Sequence, residues 1–222
     1  MKWAIPISLS LNGGYVDTAG FLALQGLFTA HVTGNFVTFG AAMVLGTSGA
    51  VAKLLALPVF CAVVMLVRVL GAALAHLRLP VLGTMLGLKI ILLCAAAAMA
   101  LRFGPFTNGD SWRAVATGMT LVSAMAIQNA VHRIHLGTAP PTTLMTGTTT
   151  QIMIDLADLL LGTTPDGRAA IGSRVLRMIA SVAAFAAGCG AAAGMFSIVG
   201  MWCFVVPPAV ALFALMVYAA ER

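Results

Sequence analysis

The chain has 222 residues, 61% of them hydrophobic and only 8% charged, with a mean hydropathy of +1.04. Ordinary soluble domains carry about 25% charged residues, so a soluble globule is excluded and a polytopic membrane protein is expected. The net charge is +6, from 12 Lys and Arg against 6 Asp and Glu, but the basic residues sit singly at the ends of apolar runs and form no cluster with aromatic side chains, which excludes nucleic acid as a partner.

About 20 apolar residues cross the hydrocarbon as a helix. After Lys2 an apolar stretch covers 3–25, interrupted by Asn12, Tyr15 and Asp17. No small-residue cleavage site follows a clean apolar region, so this reads as a retained first membrane helix and not a signal peptide. Then comes "AHVTGNFVT" (30–38), rich in β-branched residues and Gly, leading into a short apolar piece at 34–46. Long helices follow at 54–76 and 81–101, with "LRLP" (77–80) between them. "RFGPFTNGDSW" (102–112) is the clearest solvent loop. A fourth long helix covers 113–133. "GTAPPTTLMTG" (137–147) follows, where Pro140 and Pro141 disfavour helix. A second short apolar piece at 147–161, the loop "GTTPDGR" (162–168) and long helices at 171–196 and 199–219 complete the chain. At 1.5 Å per residue each short piece reaches only about 20 Å.

The predicted fold is an all-α polytopic membrane protein, one membrane domain of two sequence-related halves, 1–101 and 113–222. Each half is a long helix, an unwound Thr-Gly break, a half helix and two long helices, giving six long transmembrane helices plus two half-length ones. Thr33-Gly34 answers Thr146-Gly147, Gly71-Ala72-Ala73 answers Gly190-Ala191-Ala192, and Arg102 answers Arg222. Two threadings fit. If the half helices dip in and return, six crossings give inverted repeats, with seven Lys/Arg on one side (Lys2, Arg78, Arg133, Arg168, Arg174, Arg177, Arg222) and three on the other. Eight crossings give parallel repeats and a tally of 8 to 2. Both place the two termini together in the cytoplasm.

Backbone that leaves helix at membrane depth must pack in protein or line a wet cavity. Paired breaks in two halves point to a transporter-like central site. Thr33 or Asn35, and Thr146 or Thr148, are candidate N-caps, so each half helix would aim its positive end at that site. The candidate ligand-binding residues are Asp17, Thr33, Gly34, Asn35, Gln128, Asn129, Thr146, Gly147, Thr148, Gln151 and Asp155. The alternative is that the polar runs only cap helices and hold them together. Asp17 occupies the repeat position of Gln128-Asn129. A charge in the membrane needs a partner, and Arg68 or Lys89 would serve Asp17. Gly83-x-x-x-Gly87 and Gly190-x-x-x-Gly194 suit close helix packing.

Cys61, Cys94, Cys189 and Cys203 lie in apolar segments without CxxC spacing, so neither disulfides nor a thiolate metal site is expected. His132 and His135 lack a third ligand nearby, so no metal and no cofactor are expected.

The segments "GYVDTAGFLAL", "FTAHVTGNFVTFG", "AIQNA" and "PTTLMTGTTTQIMIDL" together resemble the YoaK family of bacterial multi-pass membrane proteins, a domain-of-unknown-function family. They occur in that family's order and cover both halves. Where the family often carries Asn, Asp, Met or Thr before Thr-Gly-Asn, this chain has Ala30-His31-Val32, so no role for His31 carries over. The resemblance implies a bacterial inner-membrane protein and names no substrate.

Three functions compete. A small transporter or channel for a polar or ionic solute fits the repeat, the breaks and Asp17. An intramembrane aspartyl protease would need Asp17 and Asp155 to share one site, and the chain lacks the Gly-x-Gly-Asp partner motif, so no enzyme is expected. A non-transporting accessory or sensor would show no polar cavity at the breaks. The expected partners are the lipid bilayer and a small polar or ionic solute, with a homo-oligomer left open.

Overall fold

The structure is a computed structural model that describes residues 3–162 and 164–220. Among the described residues every regular element is helical. In chain order these are α1 (Ala4–Ala23), α2 (Asn35–Leu45), α3 (Ala50–His76), α4 (Val81–Phe103), α5 (Trp112–His135), α6 (Met145–Leu161), α7 (Pro165–Val199) and α8 (Val206–Ala220). Short 3-10 turns at Val32–Gly34 and Gly200–Val205 precede α2 and α8.

Local chemistry sets the ends. Gly46, at φ 65°, closes α2 in the left-handed conformation that glycine adopts without a Cβ clash, and the amides of Gly46 and Thr47 both return to the carbonyl of Ala42. Leu79-Pro80 separates α3 from α4. Ser111 caps α5 through the amide of Ala114, and Thr164 caps α7 through that of Gly167.

Four helical runs, 50–76, 81–103, 112–135 and 166–220, are long and apolar enough to cross a membrane. Their outer faces carry large apolar side chains in the open, Met65, Leu66 and Val69 of α3 among them, as do Val44 of α2 and Leu160 of α6. So much contiguous exposed apolar surface is what a lipid-facing protein presents. The core is small-sided by contrast. Ala19, Ala56, Ala96, Ala100, Ala114 and Ala124 are buried around Tyr15, Leu93 and Leu121.

α1 is central and buried along most of its length. It packs along α7 and on α8, while α5 packs along α3 and α4; α2 lies on α3, α6 on α7, and α4 meets α8. α1 and α7 run parallel, since Ser10 bonds Ser181, Gly14 meets Phe185, and Gly188 meets Leu11 and Tyr15. A Cβ on Gly14 would lie 2.1 Å from the Phe185 carbonyl oxygen, and one on Gly188 2.1 Å from that of Leu11. Glycine at these two positions is what lets the backbones touch. The glycine pairs singled out by spacing do not work this way. Gly87, Gly190 and Gly194 have nothing within 4 Å of a notional Cβ, and Gly83 abuts the ring of Tyr218. Spacing identifies a smooth face; it does not say whether another helix lies on it.

The helix ends sort into two groups. Ile5 and Leu9 of α1, Leu82 and Leu86 of α4, Leu136 after α5, and Ala214 and Tyr218 of α8 form one cluster. At the opposite end Gln25 donates to the carbonyl of Phe106, Gly109 donates to Ser48, and Asp110 accepts from the amides of Gly49 and Val51. These bonds tie the turn after α1, the α2–α3 turn and the α4–α5 loop together. α2 therefore ends where α1 ended. α6 runs antiparallel to α7, with Ile152 against Val175 and Met178, and so ends where α5 ended.

Candidate functional site

The site begins with the return of the chain after α1. Residues 24–31 turn back on the helix they have just left, and Asp17 receives them. Its Oδ1 accepts from the amides of Thr29 and Ala30, both at 2.7 Å, and from the Thr29 hydroxyl at 3.3 Å; its Oδ2 meets His31 Nδ1 at 2.6 Å. Asp17 is buried, whereas the His31 side chain is about a third exposed. A carboxylate placed here offsets its desolvation through several charge-assisted hydrogen bonds. Asn35 closes the same loop from its far end, since its Oδ1 accepts from the amide of Phe28 and its Nδ2 donates to the carbonyl of Phe28.

The second break is held on α5 by the amide side chains of Gln128 and Asn129. Asn129 accepts from the Thr143 hydroxyl at 2.6 Å. Gln128 donates to Thr142 and to the carbonyl of Leu9, and its Oε1 accepts from the amine of Lys89, which is fully buried on α4. Gly13 of α1 lies directly against Thr142 and Gln128. The two breaks meet where the backbone of Thr143 lies beside the His31 ring.

An open cavity of about 580 Å³ lies beside the first break, lined by Asp17, Thr18, Phe21, Phe28, His31, Thr33, Gly34, Phe185 and Cys189. Phe185, from α7, stands edge-on to His31 with ring centroids 5.4 Å apart. Around the second break a depression of about 50 Å³ lies between Asn129, His132, Arg133 and 141–144, one of about 310 Å³ reaches Thr138, Ala139 and Pro140, and one of about 710 Å³ runs along α6 from Met145 and Thr146.

The structure thus gathers Asp17, Thr33 and Gly34 on one cavity wall, with Asn35 bracing it from behind, and it gathers Gln128 and Asn129 on the second break. Thr146, Gly147, Thr148, Gln151 and Asp155 lie along α6 instead. Thr146 and Gly147 are exposed there, and Thr148 is buried. Asp155 is buried and held by Arg174 through two bonds, 2.7 and 2.6 Å, and by Gln151 at 2.8 Å. It faces α7, with partners other than those of Asp17. The expected side-chain N-caps do not form. Gly34 and Leu144 occupy the cap positions, and the Thr148 hydroxyl bonds the carbonyl of Leu144 one turn back. Neither Arg68 nor Lys89 serves Asp17, since Arg68 is exposed and Lys89 holds Gln128.

Thr18, Phe21, Phe28, His31, Phe185 and Cys189 of the cavity, and Lys89 at the second break, are site residues that the sequence did not assign. His31 stood in view inside the polar run, and a charge in an oily helix marks Lys89, but neither signal names a partner. Phe185 carries no local signal, because it reaches the site only through the packing of α7 on α1.

An apolar chain whose regular elements among the described residues are all helical, with four runs long and apolar enough to cross a membrane, has the character of a membrane protein. Its family is shown directly, since the model of the family described as protein of unknown function (DUF1275) matches residues 5–218. The chain belongs to that family, of which the YoaK proteins are part. No curated protein and no solved structure matches it.

Proposed function

We propose that this is a membrane transporter or channel-like protein for a small polar or ionic solute, resident in a bacterial inner membrane. One observation carries the reading: the buried carboxylate of Asp17 and the half-open ring of His31 share the wall of a cavity of about 580 Å³. That volume lies within the range of about 300–1,000 Å³ usual for small-molecule sites.

The packing supports an internal duplication. Exchanging the halves 1–101 and 113–222 turns α1 on α7 and α8 into α5 on α3 and α4, and turns α2 on α3 into α6 on α7. Six crossings with inverted halves agree with half helices that return to the end they left. The seven-to-three excess of Lys and Arg in that threading supports a cytoplasmic side for both termini.

A second reading, an accessory protein that transports nothing, is favoured by a different observation. Both polar ends of Asn35 are spent on Phe28, and the hydroxyls of Thr148, Thr149 and Thr150 are spent on carbonyls one turn back. Light scattering separates the two readings. Proteoliposomes shocked with urea, glycerol, KCl or tetraethylammonium chloride should relax faster than empty liposomes for at least one solute, and Asp17→Asn should slow that relaxation. Relaxation equal to empty liposomes for all four would leave the accessory reading standing.

A further inference from the structure

We propose that the cavity at the first break takes a small organic cation, and that cation and proton exclude one another there. The proposal rests on the transport reading for its purpose but on binding alone for its test.

Charge balance is the first step. Asp17 accepts from two amides, one hydroxyl and His31. With His31 neutral, the site holds one uncompensated negative charge in an apolar surround. With His31 protonated, the pair is neutral. The titratable group that faces the pair from the helix packed against it is Cys189 of α7, beside Thr18 and Asp17. Tyr15, on α1 itself, is turned away to the carbonyl of Cys203. From the second break the Thr143 backbone approaches His31. Lys89 bonds Gln128 and Arg174 bonds Asp155. The positive charge that completes the site is therefore either a proton on His31 or a cation in the cavity.

The lining decides which cations suit the cavity. Phe21, Phe28 and Phe185 present three aromatic rings beside the acid, while Thr18 and Thr33 supply the only hydroxyls. A metal ion needs a shell of oxygen or nitrogen ligands, whereas an alkylammonium ion is held by ring faces and a nearby carboxylate. The second break is a control within the same molecule. Where Asn129 bonds Thr143, as Asp17 bonds His31 fourteen residues on, the adjoining space is about 50 Å³, and neither it nor the cavity of about 710 Å³ along α6 is lined by a carboxylate or a phenyl ring.

The test is calorimetry on the full chain in detergent, with tetraethylammonium as the probe. Binding should weaken by up to about tenfold per pH unit once His31 is protonated in the free protein, because linkage is reciprocal. The same titration should release a proton, seen as a heat that varies with the buffer's ionisation enthalpy. His31→Gln keeps a donor for Asp17 and cannot take the proton, so its binding should be independent of pH between 5.5 and 8.5. Phe185→Leu should weaken binding between about two- and thirtyfold, the span of one cation–π contact. No binding to the folded wild type, or wild-type binding that does not change with pH, overturns the proposal. Solute flux without tetraethylammonium binding overturns it while leaving transport intact; binding with proton release but no flux supports it and removes the transport reading instead.

Discussion

Replacing Gly188 by Ala tests the contact on which the site's geometry depends. The new Cβ would stand 2.1 Å from the Leu11 carbonyl oxygen and 2.9 Å from the Tyr15 amide nitrogen, where ordinary contact begins at 3.4 Å. Both neighbours are backbone of a buried helix, so no flexible tip can swing aside, and α1 and α7 must part by roughly 1 Å. Overpacking of this kind costs about 1–3 kcal/mol, and the better helix propensity of Ala returns at most about 1 kcal/mol. At this chain length each kcal/mol moves the melting temperature by about 2–4 °C, so a fall of several degrees is expected in thermal unfolding followed by size-exclusion chromatography in detergent. Gly14→Ala, against the Phe185 carbonyl, should fall alike. Gly190→Ala and Gly194→Ala, on the same helix with nothing within 4 Å, should hold or rise slightly. A melting temperature for Gly188→Ala within a degree of wild type, or an equal loss for Gly194→Ala, would refute the argument.

Two further expectations concern the first break and the membrane path. Asn35→Ala leaves the partly buried amide and carbonyl of Phe28 without their side-chain partner, at a cost of up to about 1–3 kcal/mol each, so amide exchange at 28–31 should accelerate, whereas Thr33→Ala, at an exposed position, should leave it unchanged. Six crossings put the 102–112 loop on the side opposite the termini, and eight put it on theirs. In a cysteine-free background, Asn108→Cys should thus react with an impermeant maleimide from outside the cell while terminal fluorescent fusions stay bright inside; labelling only after lysis would reverse the threading.

Much of the helix map was legible because hydrocarbon thickness is a coarse ruler. The stretch expected at 54–76 is Ala50–His76, and that expected at 147–161 is Met145–Leu161. Pro140 and Pro141 marked the non-helical run after α5, but Thr146-Gly147, expected to be unwound, lies inside α6, and Thr33-Gly34 forms a 3-10 turn. What stayed hidden depends on which side chains meet. Charge arithmetic paired Asp17 with Arg68 or Lys89, yet its partner lies only 14 residues along the chain, because the backbone doubles back after α1 and delivers His31 to it. Thr148 looked like a cap, but a hydroxyl one turn into a helix finds the carbonyl behind it before it finds an end to cap. Gly14 and Gly188 carry no motif of their own, since the contact they form joins two helices far apart in sequence.

The contrast between the two breaks bears on function. Asn129 and Gln128 hold Thr143 and Thr142 against α5 with neutral hydrogen bonds, so fastening a returning segment to its helix requires no carboxylate. Asp17 performs the same fastening with a charge, whose cost near a bilayer centre is about 2.5–3.5 kcal/mol when unpaired, and with a histidine that must then be supplied to balance it. The charged version opens onto the cavity of about 580 Å³ lined by Asp17 and His31, whereas the cavity of about 710 Å³ along α6 at Thr146 is lined by no charged side chain. A purely structural role would be served as well by the neutral pair already present in the other half. The extra charge at the first break is therefore better explained by what occupies the cavity than by the fold. Asp17→Asn, which borrows the second break's own solution, should consequently fold and still lose tetraethylammonium binding; a variant that folds and binds as tightly as wild type would return Asp17 to a structural role.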